Sequence, residues 1–331
     1  MDAKNISFTQ EFVLLGFPEG GHLMSIFLLL LYLMILMGNL AIFSIIQIDS
    51  HLHMPMYFFL RHLSLLDICY SSVTLPLILG NAMVGNRRIS FGGCMAQLYF
   101  FVSLGGAECL LLAAMAYDRY VAICNPLRYA NIINQQLCVE LTAASWLGGF
   151  LNSILHTAMT SQLPFCNATD INHFFCDVPP LIHLSCSDSH ISQNLLYVVS
   201  VFLGMSPFLF VLVSYVRIIS SILKISSAQG RHKAFSTCSA HLIVVTVFYT
   251  TANFNYIGPG PGDSFDIVRL STMLYSIMTP LLNPVIYCLR NKEVKGAFKK
   301  LLKSGTFLSG CGNSGQGCQQ LIYRLMIFKG T

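Results

Sequence analysis

Apolar residues in this chain accumulate in runs rather than alternating with polar ones. Stretches free of Asp, Glu, Lys and Arg cover residues 20–48, 68–86, 89–107, 141–169, 189–216, 234–262 and 270–289. Each is near the roughly 20 apolar residues that a helix needs to cross a bilayer. Barrel strands would alternate with a period of two, and lipid leaves no partner for unpaired backbone amides. The pattern therefore predicts seven membrane-crossing helices in an all-α bundle.

Composition agrees: 54% of residues are hydrophobic and 10% charged, against roughly 25% charged in ordinary soluble domains. The opening residues, through Gly21, are polar and of mixed charge, so the first run is expected to serve as the targeting signal in place of a cleavable leader. Basic residues set the orientation, because they favour the cytoplasmic side of short loops. With the N-terminus outside, only Lys4, Arg87, Arg88 and Arg269 face outward, and the other fifteen of nineteen Lys and Arg lie inside. The net charge of +5 then reflects topology and attraction to anionic lipid, and no basic stripe with interleaved aromatics indicates nucleic acid.

Cysteine usage is compatible with that orientation. Cys94, Cys166, Cys176 and Cys186 fall on the oxidising side, where three pairings are open to them, while the remaining eight of twelve are expected as thiols. Asn5 and Asn167 each open an Asn-x-Ser/Thr acceptor sequence on the same outer side.

The chemistry-bearing motifs sit at the ends and in the middle of the runs. Residues 115–124 read MAYDRYVAIC, which closes a long apolar stretch with Asp118 and Arg119 at a water boundary. By itself such a pair is also what an anchored helix end would carry. Asp67 and Glu108 are carboxylates at membrane depth, where they require partners, water or a proton. Gly38-Asn39, LHMPMY at 52–57, Ser214-Tyr215, KAFSTCSAHL at 233–242 and PLLNPVIYCLRN at 280–291 complete the set. Together these motifs resemble the olfactory receptors of the rhodopsin-like, G-protein-coupled class, over roughly residues 12–303.

The resemblance implies an odorant receptor at the plasma membrane that binds a small volatile organic molecule and activates a stimulatory heterotrimeric G protein, raising cyclic AMP. It implies disulfides Cys94–Cys176 and Cys166–Cys186, which would fold the outer loop over the ligand entrance. Arg119 would pair with Asp118 at rest and turn toward the G protein when the sixth span moves. Tyr120, Tyr215, Lys233, Asn283, Pro284 and Tyr287 would belong to the same activation machinery. Pro284 removes a backbone donor and loosens its helix, giving the cytoplasmic end a place to swing. Asn39, Asp67 and Glu108, with Asn283 nearby, are expected to form a polar cluster able to hold water and a sodium ion.

Counting back from Arg119 at helical spacing, Cys109, Gly105 and Phe101 form one stripe, with Gly106 and Val102 alongside. Glycines there either open a cavity or permit close helix packing. The resemblance favours the cavity, faced by Val199, Leu203, Asn253, Tyr256 and Met273, with Tyr249 linking ligand to span-six movement. Amine receptors of the class carry an acid where this chain has Phe101, so no cationic ligand is expected. HFFCD at 173–177 resembles a proposed metal-binding pattern, but a disulfide at Cys176 would remove its thiolate, and no metal is expected.

The chain then divides into an outer N-terminal segment 1–22, a seven-span domain 23–290, a basic amphipathic helix 291–303 on the inner leaflet and a tail 304–331. Such receptors usually end soon after Leu302, and the Gly-, Ser- and Gln-rich tail is expected to be disordered. No catalytic motif argues for an enzyme. The remaining rivals are a G-protein-coupled receptor for another small ligand outside the nose and a transporter, which the lack of an internal repeat disfavours.

Overall fold

The computed structural model describes residues 11–16, 22–84, 88–165, 169–186, 190–257, 265–290 and 293–297. A short strand β1 (Glu11–Leu14) precedes α1 (His22–Ile48), α2 (Pro55–Val84), β2 (Arg88–Ser90) and α3 (Phe91–Cys124). There follow α4 (Tyr129–Ile132), α5 (Gln135–Ser161), β3 (Asp170–Ile171), α6 (Val178–Leu184), α7 (His190–Leu223), α8 (Ala228–Ile257) and α9 (Phe265–Arg290). A further helical turn covers 293–297.

Local signals set the helix ends. Asp49 closes the turn after α1 by accepting from the His51 amide at 3.0 Å. Ser90 caps α3 through the Gly93 amide at 3.1 Å, and Asn134 caps α5 through the Leu137 amide at 2.8 Å, each satisfying a donor that the first helical turn leaves open. α3 stops at Asn125, where Pro126 follows and disfavours helical dihedrals in the residue before it.

α3 is the central helix, packed against α2, α5 and α7, while α1 and α9 close on α2 from the other side. Its inward face is Phe101, Leu104, Ala107, Leu111, Leu112 and Met115, all buried in one core. The charge-free run at 89–107 ends inside this helix because Glu108 interrupts it, yet Glu108 is buried and the helix continues to Cys124. Apolar side chains of α1, among them Leu23, Phe27, Leu30 and Met37, are exposed, as a lipid-facing surface requires.

Among the described residues, α1, α2, α3, α5 and the 204–223 part of α7 are long and apolar enough to cross a membrane. The two parts of α8, Ala228–Ser236 and Cys238–Ala252, meet at 46° and pass that test together. α9 is not among them; its sequence carries Asp266, Arg269, Ser276, Thr279, Pro280 and Pro284.

One feature departs from an all-α fold. β1 lies between β2 and β3 in a three-stranded sheet, antiparallel to β2 with Phe12 opposite Ile89 and parallel to β3 with Val13 opposite Asp170. Only two to four residues long, these strands fall below any periodicity signal. A second apolar cluster secures them: Phe12 and Leu14 pack with Leu98, Phe165, Ile171 and the Cys94–Cys176 bridge, and the Phe12 ring meets Phe165 edge-on at 5.2 Å.

Candidate functional site

At the sheet end of the bundle, the Cys94–Cys176 disulfide joins the start of α3 to the segment before α6. Gln97 reinforces the joint, accepting from the Cys176 amide at 3.0 Å and donating to the Val73 carbonyl of α2 at 3.0 Å. The neighbouring Phe175 is thereby laid on Phe101, ring centroids 4.8 Å apart, while Tyr70 of α2 flanks Phe101 at 5.0 Å. All three rings are buried. His173 Nδ1 lies 3.0 Å from the Phe175 carbonyl, and Asp177 caps α6 through the Val178 amide. Because Cys176 is bridged, it offers no thiolate to a metal. Cys186 is disulfide-bonded, whereas Cys166, Asn167 and Asn5 lie outside the described residues.

Below Phe101 the expected stripe divides. Val102, Gly105 and Cys109 are half-buried, and the Cys109 carbonyl accepts from the Tyr249 hydroxyl of α8 at 3.2 Å. Phe208 of α7 stands 5.0 Å from the Tyr249 ring, so α3, α7 and α8 meet here. Met273 of α9 packs against the same core. Gly106 does not join this face. A side chain there would meet the Gly149 Cα of α5 at 3.3 Å, and Gly149 itself is pressed onto the Ser103 carbonyl and Ala107 of α3. Gly106 thus serves the α3–α5 contact, where small residues let two backbones approach. The side chains of Val199, Leu203, Asn253 and Tyr256 lie outside the described residues.

At mid-depth, Asn283 of α9 donates to both carboxylate oxygens of Asp67, at 3.2 and 3.0 Å. Asn39 donates to the Pro280 carbonyl at 2.9 Å, which lacks its helical donor because Pro284, four residues on, has no N–H. Pro284 packs against Gly38, where a Cβ would lie 3.1 Å from the ring. Glu108 is close enough to Asp67 for their charges to interact. Its Oε1, Asn39 Oδ1 and the Tyr287 hydroxyl have no hydrogen-bond partner among the described residues, although all three side chains are buried.

At the opposite end, Arg119 Nε lies 3.4 Å from Asp118 Oδ2 and donates to the Met56 sulfur of α2 at 3.3 Å. Asp118 Oδ1 accepts from the Tyr129 hydroxyl of α4 at 2.7 Å. Burial and then the Asp118 charge raise the Tyr129 pKa above the ordinary phenol value, so the hydroxyl stays a donor. Tyr120 is half-buried and stacks on Tyr117. Tyr215 meets His241 across α7 and α8. The Lys233 side chain lies outside the described residues. In the first turn of α2, beside Met56, Tyr57 donates to Glu293 at 2.6 Å, tying α2 to the 293–297 turn.

Sequence reasoning missed Met56, Tyr129, His241, Phe175 and Gly149. His241, Met56 and Phe175 lay inside quoted motifs without a role. Tyr129 and Phe175 carried no spacing signal, because their partners are 11 and 74 residues away, or on other elements.

Comparison with known proteins gives one result. The olfactory receptor family model matches residues 28–304. Olfactory receptor 1C1 of Homo sapiens is 47% identical over 305 residues, covering 91% of this chain and 97% of that protein. Olfactory receptor 5AP2 of Mus musculus is 48% identical over 303 residues, covering 90% and 95%. Squid rhodopsin shares the fold with a TM-score of 0.67 at 15% identity, covering 96% of this chain and 94% of that one. This chain is a member of the olfactory receptor family, a multi-pass membrane signalling receptor of the G-protein-coupled fold and not an enzyme.

Proposed function

We propose that the protein is an odorant receptor of the plasma membrane, with α1, α2, α3, α5, α7, α8 and α9 as seven crossings and the sheet end outside. A small volatile organic molecule would bind between α3, α7, α8 and α9, against Phe101, Val102, Gly105, Cys109 and Met273, and a stimulatory heterotrimeric G protein would be engaged at the Arg119 end, raising cyclic AMP. The lining is apolar with few polar groups, which suits such ligands.

The observation that carries this reading is the single helix α3. It holds Phe101 and Cys109 near the sheet end and the Asp118–Arg119 pair at the other, with Tyr249 of α8 bonded to its middle at Cys109. A ligand that prefers one arrangement of α8 against α3 would shift the population by its differential affinity, with no covalent step. Leu127, 99% exposed just beyond the pair, offers a partner an apolar contact there.

The test is a screen of chemically diverse volatiles in cells reporting cyclic AMP. A ligand-dependent rise is expected, and Arg119→Ala is expected to abolish it with surface delivery retained. Full signalling by Arg119→Ala would overturn the reading. Asp67, Glu108 and Asn39, whose Oδ1 has no hydrogen-bond partner among the described residues, are suited to a sodium ion, because hard cations take oxygen ligands. A response whose sodium dependence survived Asp67→Asn would remove that ion from the account.

A further inference from the structure

The Cys94–Cys176 bridge fixes one point of the segment between α5 and α6, and a chain pinned at one point can still swing about it. β1 supplies a second anchor. The Val13 amide donates to the Thr169 carbonyl and the Leu15 amide to the Ile171 carbonyl, each at 2.8 Å. The same Ile171 carbonyl accepts from the His173 amide at 2.8 Å. The His173 ring stands edge-on to Phe175, centroids 4.9 Å apart, and Phe175 lies on Phe101. Along its other edge β1 pairs with β2, which runs directly into α3, the helix that carries Phe101. Phe12, fully buried, packs between Phe91 of α3 and Phe165 beyond α5, at 6.0 and 5.2 Å.

We infer that β1 is a strap across the sheet end of the bundle: it holds residues 169–175 shut over Phe101, with Phe12 and the Leu15 amide as the positioning groups that set how often this cover opens. The inference rests on the proposed reading of Phe101 as a ligand contact, since the cover then governs the access of a volatile molecule to its site. Strands this short are marginal alone, so closure depends on the buried Phe12 ring and a few backbone hydrogen bonds. Glu11 and Arg88, 3.5 Å apart and exposed, add little. Opening of such a unit is a local event with its own free energy, separate from unfolding of the bundle.

Access can be read without a volatile. In a Phe101→Cys receptor on intact cells, a membrane-impermeant methanethiosulfonate added outside reaches the thiol only when the cover lifts, and the receptor without Phe101→Cys gives the background from other thiols. Leu15→Pro removes one donor and keeps the backbone extended, because proline and the residue before it both favour extended dihedrals. The reaction rate per surface receptor is expected to rise about threefold to tenfold, the weight of one hydrogen bond, and further in Phe12→Ala, which removes a buried ring. Leu15→Ala keeps the amide and is expected at the parent rate, with Phe12→Leu between the parent and Phe12→Ala. A merely structural strand would lower surface delivery and leave the rate alone, as Gly149→Ala, which strains a seam elsewhere, is expected to do. Parent rates in Leu15→Pro and Phe12→Ala, or an equal rise in Gly149→Ala, would overturn the inference. Should Phe12→Ala not reach the surface, Leu15→Pro decides by itself. The ligand reading fails separately: a volatile that raises cyclic AMP yet does not slow the Phe101→Cys reaction would remove Phe101 from the ligand site, while the rates of the β1 variants would stand.

Discussion

The Tyr215 hydroxyl lies 2.7 Å from His241 Nδ1, with the two rings 5.7 Å apart and 25° from parallel. The pair joins α7 to α8 inside the bundle, and both side chains are buried. Which of the two atoms donates depends on the imidazole tautomer, and the same hydroxyl lies 3.4 Å from the Cys238 carbonyl of α8, a second acceptor for its proton. Tyr215→Phe keeps the stacked ring and deletes the bond. Hydrogen bonds between membrane helices are worth on average about 0.6 kcal/mol and at most about 1.7, so the melting temperature in detergent should fall by a small but measurable step. An unchanged melting curve would show that the bond contributes nothing net.

Two glycines on the α3–α5 seam should behave differently. A methyl group at Gly149 would meet the Ser103 carbonyl and Ala107 of α3, backbone that cannot rotate away, whereas one at Gly106 would meet the Gly149 Cα at 3.3 Å. Overpacking of this kind typically costs about 1–3 kcal/mol, occasionally more. Gly149→Ala is expected at or above the top of that range, seen as lost surface delivery, and Gly106→Ala below it. Because Gly106 faces α5, Gly106→Ala should also leave the rank order of ligand potencies unchanged. A re-tuned receptor would return Gly106 to the pocket.

Removing the Cys94–Cys176 bridge should be severe. It closes a loop with sequence separation 82, for which chain entropy alone predicts about 4.5 kcal/mol. Cys94→Ser or Cys176→Ser would also loosen Gln97 and Phe175, which the bridge holds over Phe101. Loss of surface receptor is expected, with the double variant no worse than either single one. Additive losses would mean that each cysteine matters for packing rather than for the bond.

Much of the architecture was legible in the runs. Long apolar stretches bounded by charge or by caps such as Asn134 have few solutions other than helices, and the motif residues Asp118, Asn283 and Tyr215 are engaged in contacts the sequence placed near helix ends or interiors. The run at 89–107 understated α3, since a charge count treats Glu108 as a boundary and the fold buries it. The sheet was invisible because its three strands pair across 77 and 157 residues and none is long enough to show a period.

The sequence by itself determined the helical membrane class, the family and the place of the Asp118–Arg119 pair at a helix end, because hydropathy and contiguous motifs are local properties that survive without coordinates. Tertiary structure decided which side of a helix each residue serves. Gly105 and Gly106 are neighbours in sequence, yet Gly106 packs on Gly149 of α5, and nothing local distinguishes a glycine that opens space from one that closes a helix seam. It also decided what holds Arg119. Met56 and Tyr129 reach the pair from separate elements, and contacts between separate elements depend on how helices are docked, which no single run of residues encodes.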